Sequence, residues 1–93
     1  MSTHDSRIDQ DLKEVLDTLK DQDEIDVLLY PKVMGKSIKE MLQSKKDEGL
    51  LDYNVLAIAN CIVVKAPKKI ILQIATRDDV SRIAVNPRFT AGS

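Results

Sequence analysis

The segment that most constrains the fold is the apolar run YNVLAIANCIVVKA, residues 53–66. It is too long for one strand in a chain of 93 residues, because strands in small domains are usually about 5–6 residues long. Asn60 lies near its middle and is a residue type that favours turns. The run therefore predicts a β-hairpin in which residues 53–59 pair with residues 61–66.

Apolar spacing predicts the remaining elements. Gaps of three and four residues predict helices at 7–20, 35–49 and 68–76, and β-rich runs predict strands at 25–31 and 80–85. Asp5 or Ser6 is expected to cap the first helix, and the spacing of Ser37 and Glu40 is typical of a capping box. Gly49 is expected to end the second helix, and Pro67 to occupy the first turn of the third.

This order, a helix followed by β-α-β-β-α-β, predicts an α+β fold of the ferredoxin-like type. Right-handed crossovers place the two later helices on one face of a four-stranded antiparallel sheet. The first helix is an addition that packs on a sheet edge or on the helical layer. We expect a disordered leader at 1–6 and a single domain at 7–93. Within it, the βαββαβ core spans 25–85 and an extended C-terminal tail spans 86–93.

Composition argues against several classes of function. The net charge of −1 disfavours nucleic-acid binding and anionic membranes. His4 is the single histidine, and Cys61, in an apolar run, is expected to be a buried structural thiol. No catalytic, metal-binding or phosphate-binding motif is present, so we expect no enzymatic activity, no metal and no cofactor. The first eleven residues lack the apolar segment of a signal peptide, which predicts an intracellular protein or a piece excised from a secreted precursor.

Two helices cover one face of such a sheet, yet both faces of the hairpin are apolar. The apolar residues at odd-numbered positions are Val55, Ala57, Ala59, Cys61 and Val63, and those at even-numbered positions are Leu56, Ile58, Ile62 and Val64. The first helix or a second copy of the chain could cover the extra apolar face. The alternative is a surface that binds another protein, as exposed apolar patches often do.

The order of elements and the segment 53–89 together resemble the propeptides of subtilisin-like serine proteases, the inhibitor I9 type of domain. The matching residues are Tyr53, Val63, Pro67, Ile71, Ile74, Asp79, Val80, Ile83 and Asn86, and the resemblance extends over roughly residues 8–90. It implies a propeptide that chaperones and inhibits its own protease, or a free-standing inhibitor that is monomeric when unbound.

The resemblance also implies which residues contact the protease. The sheet would dock through Tyr53, Val55, Ala57, Ala59, Cys61 and Val63. The tail would lie in the active-site cleft as a substrate does, through Asn86, Pro87, Arg88, Phe89, Thr90, Ala91 and Gly92. Phe89 would be the fourth residue before the family's cleavage position, where these proteases have a pocket for a large apolar side chain. It could instead fold back onto the domain.

The sequence departs from the family at the end of the last strand. Members often carry acidic residues there, which cap helix N-termini of the protease, whereas this chain has Ala84 and Asn86. Asp52, Asp78 or Asp79 could supply the missing charge.

The alternative function is a non-inhibitory interaction or homodimerisation module with the same fold. RNA binding is disfavoured, because the central strands lack stacking aromatic residues apart from Tyr30. An acylphosphatase-like enzyme would need an arginine in the loop after the first strand, which YPKVMGK lacks.

Overall fold

The computed structural model describes residues 7–86, which form three helices and four strands. In chain order these elements are α1 (Gln10–Asp17), β1 (Glu24–Pro31), α2 (Lys36–Asp47), β2 (Asp52–Leu56), β3 (Cys61–Pro67), α3 (Lys68–Ile74) and β4 (Val80–Val85). No helix among the described residues is long and apolar enough to cross a membrane.

The strands form one sheet in the order β2-β3-β1-β4, and every neighbouring pair is antiparallel. The order of elements after α1 is β-α-β-β-α-β. The predicted α+β, ferredoxin-like fold class is therefore confirmed.

One apolar core lies between the helices and one face of the sheet. Alternate residues of β1, namely Ile25, Val27 and Leu29, are buried in it. Ile38 and Leu42 of α2 and the isoleucines of α3 pack against them. This pattern follows from the two-residue period of a strand, which directs every second side chain to the helical layer.

The first helix is part of this core and is shorter than predicted. Leu12 and Leu16 are buried among the core residues, one helical turn apart. Residues 8 and 9 are not helical: Ile8 forms a bridge to Ile83, and the Asp9 N–H donates to the Ile83 carbonyl at 2.9 Å. The segment thus covers the outer edge of β4, and α1 begins only at Gln10.

The predicted helix caps were partly wrong. Asp5 and Ser6 lie outside the described residues, and α1 is preceded by Asp9, which makes no side-chain cap bond. Gly35 precedes α2, so Ser37 and Glu40 lie within the helix and form no capping box. Glu40 instead lies 3.7 Å from Lys36, one turn earlier.

Gly49 ends α2 as predicted. Its φ of +78° is a left-handed conformation that side chains disfavour. The Gly49 N–H donates to the Lys46 carbonyl at 2.9 Å, and the Leu50 N–H donates to the Lys45 carbonyl at 3.0 Å. These two bonds are those of a Schellman motif, which satisfies the last carbonyls of the helix.

The hairpin and the third helix differ from prediction at their ends. A four-residue turn, 57–60, separates β2 from β3, and Asn60 adopts a φ of +52° at its last position. The first hairpin strand therefore ends at Leu56, not at residue 59. Pro67 is the last residue of β3 and precedes α3, so it does not lie in the first turn of that helix.

A paired arginine and aspartate brace the turn before β4. The Arg77 guanidinium donates to both carboxylate oxygens of Asp79, at 2.9 and 2.8 Å. The Asp79 carbonyl also accepts from the Lys32 N–H, at 2.9 Å. The hydrogen bond from Arg77 is the main cause that lowers the pKa of Asp79.

This pair predicts a loss of stability in acid. Because the folded pKa of Asp79 lies below its unfolded value, the pair stabilises the fold above about pH 4 and ceases to do so as pH falls through the folded pKa. Because solvent screens the pair, its contribution to the free energy of unfolding is on the order of 0.5 kcal/mol. Unfolding in urea between pH 5 and pH 2 should show a shallower acid loss for Asp79→Asn than for the wild type. Equal acid profiles for Asp79→Asn and the wild type would contradict the assignment.

Candidate functional site

The sheet has a second face that the helices do not cover. Strand pairing places Leu28 opposite Val63 on one side and opposite Ala84 on the other, all pointing away from the core. None of these three belongs to the core cluster, whereas Leu12 and Leu16 of α1 do. All three helices therefore lie on the other side. We call this uncovered side the open face; it consists of Asp26, Leu28, Tyr30, Asp52, Asn54, Leu56, Cys61, Val63, Lys65, Arg82 and Ala84.

The centre of the open face is apolar. Leu28 and Val63 are half-buried neighbours on the two central strands, and Ala84 is buried beside Leu28. Toward the hairpin turn, the buried Cys61 pairs with Leu56, which is 37% exposed. The sulfur is accordingly a packed structural group, as the sequence predicted.

One end of the open face carries the ion pair that holds the N-terminal segment. Arg82 donates to both carboxylate oxygens of Asp9, with a shortest distance of 2.7 Å. The same guanidinium lies 5.0 Å from the centre of the Tyr30 ring. The hydrogen bond to Asp9 is the main cause that raises the pKa of Arg82. This contact fixes residues 7–9 against β4, so the ordered edge of the sheet extends past β4.

The opposite end of the open face is a charged border. Asp52, Lys65 and Asp26 lie in one row across β2, β3 and β1. The pKa of Asp52 is lowered, first by the hydrogen bond from the Tyr53 N–H and then by Lys46, whose Nζ lies 3.3 Å away. The border therefore presents carboxylates and one lysine beside the apolar centre.

Asn86 joins this border at the end of β4. It is 8% exposed, and its N–H donates to the Asp26 carbonyl at 3.3 Å. The other residues of the predicted tail, Pro87–Gly92, lie outside the described residues. Of the three aspartates considered as substitutes for the family's acidic residues, Asp52 lies on the open face, close to the row of Asn86. Asp79 is bound to Arg77, and Asp78 lies 3.7 Å from Arg7.

The predicted docking residues do not share one face, which corrects that prediction. Cys61 and Val63 lie on the open face, but Tyr53 and Val55 pair with Val64 and Ile62 and point toward the helices. Ala57 and Ala59 lie in the hairpin turn and are exposed. Each pair across this hairpin joins an odd-numbered residue to an even-numbered one, so one parity cannot describe a face of both strands.

The residues that the docking prediction omitted come from the two other strands. Leu28 and Tyr30 are two residues apart in β1 and therefore lie on the same face of that strand. Because β1 is a central strand, those positions lie in the middle of the open face. Ala84 and Arg82 follow from their pairing with Leu28 and Tyr30. The register of β4, which no local pattern specifies, was needed to find them.

The site as a whole is a contact surface on one side of the sheet. It has an apolar centre and a charged border, as protein–protein interfaces commonly do. Within residues 7–86 no group of three histidine, cysteine or acidic side chains is placed to hold a metal ion.

Comparison with known proteins identified no relative: no family model, no curated protein and no solved structure matches the chain.

Proposed function

We propose that this chain is a propeptide or propeptide-like inhibitor of a subtilisin-like serine protease. The observation that carries the proposal is the open face, whose apolar centre is left without a covering helix in a small fold of the ferredoxin-like type. A patch of this kind commonly marks a surface that another protein covers. The resemblance of residues 53–89 to the inhibitor I9 domains supplies the class of partner.

The proposed mechanism has two parts. The open face anchors the domain on the protease surface through Leu28, Val63 and Ala84. The segment 86–92 then enters the active-site cleft as an added strand, so that main-chain hydrogen bonds hold it in the manner of a substrate. The end of β4 at the charged border sets the point from which that segment departs.

The anchor explains how a substrate-like segment could inhibit. A free peptide leaves after cleavage, whereas a tail tethered to a docked domain is returned to the cleft at a high effective concentration. Inhibition would then depend on the fold, because only the folded chain presents the open face. Binding of the protease would in turn stabilise that fold by mass action.

Asp52 and Asp26 provide a candidate for the missing acidic contact. Both lie on the charged border, and carboxylates are favoured at helix N-termini by the unpaired N–H groups there. In this proposal they take the role that the family's acidic residues have at the end of the last strand, where this chain has Ala84 and Asn86.

The tail gives the sharpest test of the proposal. A chain that ends at Val85 should fold but lose at least about 100-fold in inhibition, since it lacks the strand that occupies the cleft. Phe89→Ala should weaken inhibition by roughly 10- to 100-fold, the equivalent of one buried aromatic side chain. Arg88→Ala is the matched control, because neighbouring side chains of an extended segment point to opposite sides.

Steady-state inhibition constants against several subtilisin-like proteases would measure these effects. If the full chain and the truncated chain both leave every protease unaffected, the proposal is wrong. If Phe89→Ala inhibits as well as the wild type, the assignment of Phe89 to a protease pocket is wrong.

The same apolar centre also supports the alternative of a homodimerisation module. Two copies could bury Leu28 and Val63 against each other. Sedimentation analysis distinguishes the two functions: a dimer that persists without the tail favours the module, and a monomer that binds a protease favours the inhibitor.

A further inference from the structure

The two edges of the sheet differ in how they are covered. At one edge, β4 is bridged by Ile8, and the Asp9 N–H donates to its backbone. At the other edge, β2 pairs with β3 alone among the described residues. Alternate residues of β2 therefore direct N–H and C=O groups outward, which is the arrangement that accepts a further strand. The Tyr53 N–H donates to the adjacent Asp52 carboxylate at 3.0 Å, an exposed contact that an added strand would replace.

A cleft runs beside this free edge, between β2 and α2. Its volume is about 470 Å³, and its walls include Met34, Gly35, Lys39, Gln43 and Tyr53. Tyr53 is fixed there because its hydroxyl donates to Gln43 Oε1 at 2.6 Å. The half-buried Met34 and the Tyr53 ring give the cleft an apolar wall next to the outward backbone groups of β2.

Lysines of α2 line the same edge. Lys36, Lys39 and Lys46 recur at helical spacing along the side of α2 that flanks β2. Lys46 lies 5.5 Å from the centre of the Tyr53 ring and 3.3 Å from Asp52, and Lys36 lies 3.7 Å from Glu40. Both ion pairs are exposed and therefore weak. Lys36 and Glu40 also line the cleft and offset each other, whereas Lys39 has no carboxylate within 4.0 Å among residues 7–86, so the cleft keeps a net positive charge.

This charge argues against a second copy of the chain as the occupant. Pairing of β2 with its own copy about a twofold axis would bring the two α2 helices side by side, with their lysines facing each other. Like charges at such a contact oppose association. An extended segment with an acidic side chain has the complementary charge.

We propose that the cleft between α2 and β2 binds an extended peptide segment that pairs with β2 as a fifth strand. An apolar side chain of the segment would contact Met34 and Tyr53, and a carboxylate two residues away, on the same side of the added strand, would pair with Lys39. This site lies at the edge of the sheet, away from the apolar centre of the open face. It therefore stands independently of the inhibitory function proposed above.

An NMR titration of the intact chain with synthetic peptides tests this inference. The probe is an end-capped peptide of about seven residues, the length of one added strand, in which every second residue is alternately valine or glutamate and the residues between them are threonine. Valine and glutamate then lie on the same side of the strand and can face the cleft together. On addition of the peptide, we expect the amide signals of the chain to shift at Asp52–Leu56 and along Lys36–Lys46. Hydrogen exchange at the outward amides of β2 should also become slower. A peptide with lysine in place of glutamate should bind at least about tenfold more weakly, because it meets the lysines of α2.

Two charge-matched variants make the test specific. Lys39→Glu should weaken binding of the acidic peptide by about tenfold or more, whereas Lys69→Glu, an equal change on α3, should leave it within about twofold. Equal losses in both variants, or shifts away from α2 and β2, would overturn the proposal. So would self-association through β2 in the absence of peptide, which would identify a second copy as the occupant.

Discussion

Replacing Leu12 with alanine is expected to destabilise the whole domain by about 3 kcal/mol. Leu12 is 0% exposed and lies in the core cluster with buried residues of β1, β3, β4, α2 and α3. An isolated helix of eight residues has almost no stability of its own. The helix is held by its buried leucines, so a cavity at Leu12 weakens the same core that holds the sheet.

Urea unfolding followed by circular dichroism measures this effect. The expected result is one cooperative transition, shifted to lower urea with an unchanged slope. Leu72→Ala is the matched control because Leu72 is 39% exposed, and it should cost less than about 1 kcal/mol. If Leu12→Ala also costs less than about 1 kcal/mol, or if α1 melts alone while the rest stays folded, then α1 is an addition and not part of the core.

Replacing Val63 with glutamate is expected to abolish most binding of the proposed protease, by at least about 100-fold in the inhibition constant. Val63 lies at the centre of the open face, opposite Leu28 and Asn54. In the free chain the new carboxylate can reach water, because the position is half-buried, and the loss of folding stability should be about 1 kcal/mol. In a complex the same charge would be buried without a partner, which is far more costly.

Leu72→Glu provides the control for charge. It introduces the same residue on the helical side of the domain, at a position that the proposal leaves outside the interface. The inhibition constant of Leu72→Glu should stay within about threefold of the wild-type value. Its loss of folding stability should be similar to that of Val63→Glu. Equal losses of inhibition in Val63→Glu and Leu72→Glu would show that the open face is not the docking surface.

Patterns local in sequence were enough to predict the order of elements. Apolar periodicity located all seven, and the strand at Val80–Val85 was predicted to the residue. Gly49 was identified as the end of α2 because a left-handed residue at that point has few alternatives to glycine. The fold class follows from this order together with the handedness of its crossovers.

Features set by tertiary contacts were not predictable in the same way. Ile8 fits the apolar spacing of the first helix, but at the edge of β4 it forms a bridge with Ile83 instead. Ser37 and Glu40 have the spacing of a capping box, yet α2 begins before them, at Lys36. In both cases a local preference of less than about 1 kcal/mol was outweighed by the surrounding structure.

The composition of the open face depended on register. A turn of four residues instead of one moved Ala57 and Ala59 out of the strands and placed Tyr53 and Val55 on the helical side. Successive side chains of a strand point to opposite faces of the sheet. A small error in the predicted turn length therefore changes which residues of the two strands are assigned to the same face. Leu28 and Val63 could be grouped only once β1 and β3 were known to be neighbours.

The most direct test of the proposed function is whether the full chain competes with substrate for the active site of a subtilisin-like protease. Initial rates over a range of peptide-substrate concentrations, with increasing amounts of the folded chain, would decide it. We predict competitive inhibition, in which the apparent KM rises while kcat is unchanged, because the tail and the substrate occupy the same cleft. Rates that do not change with any protease tested, or a fall in kcat at constant KM, would contradict the account.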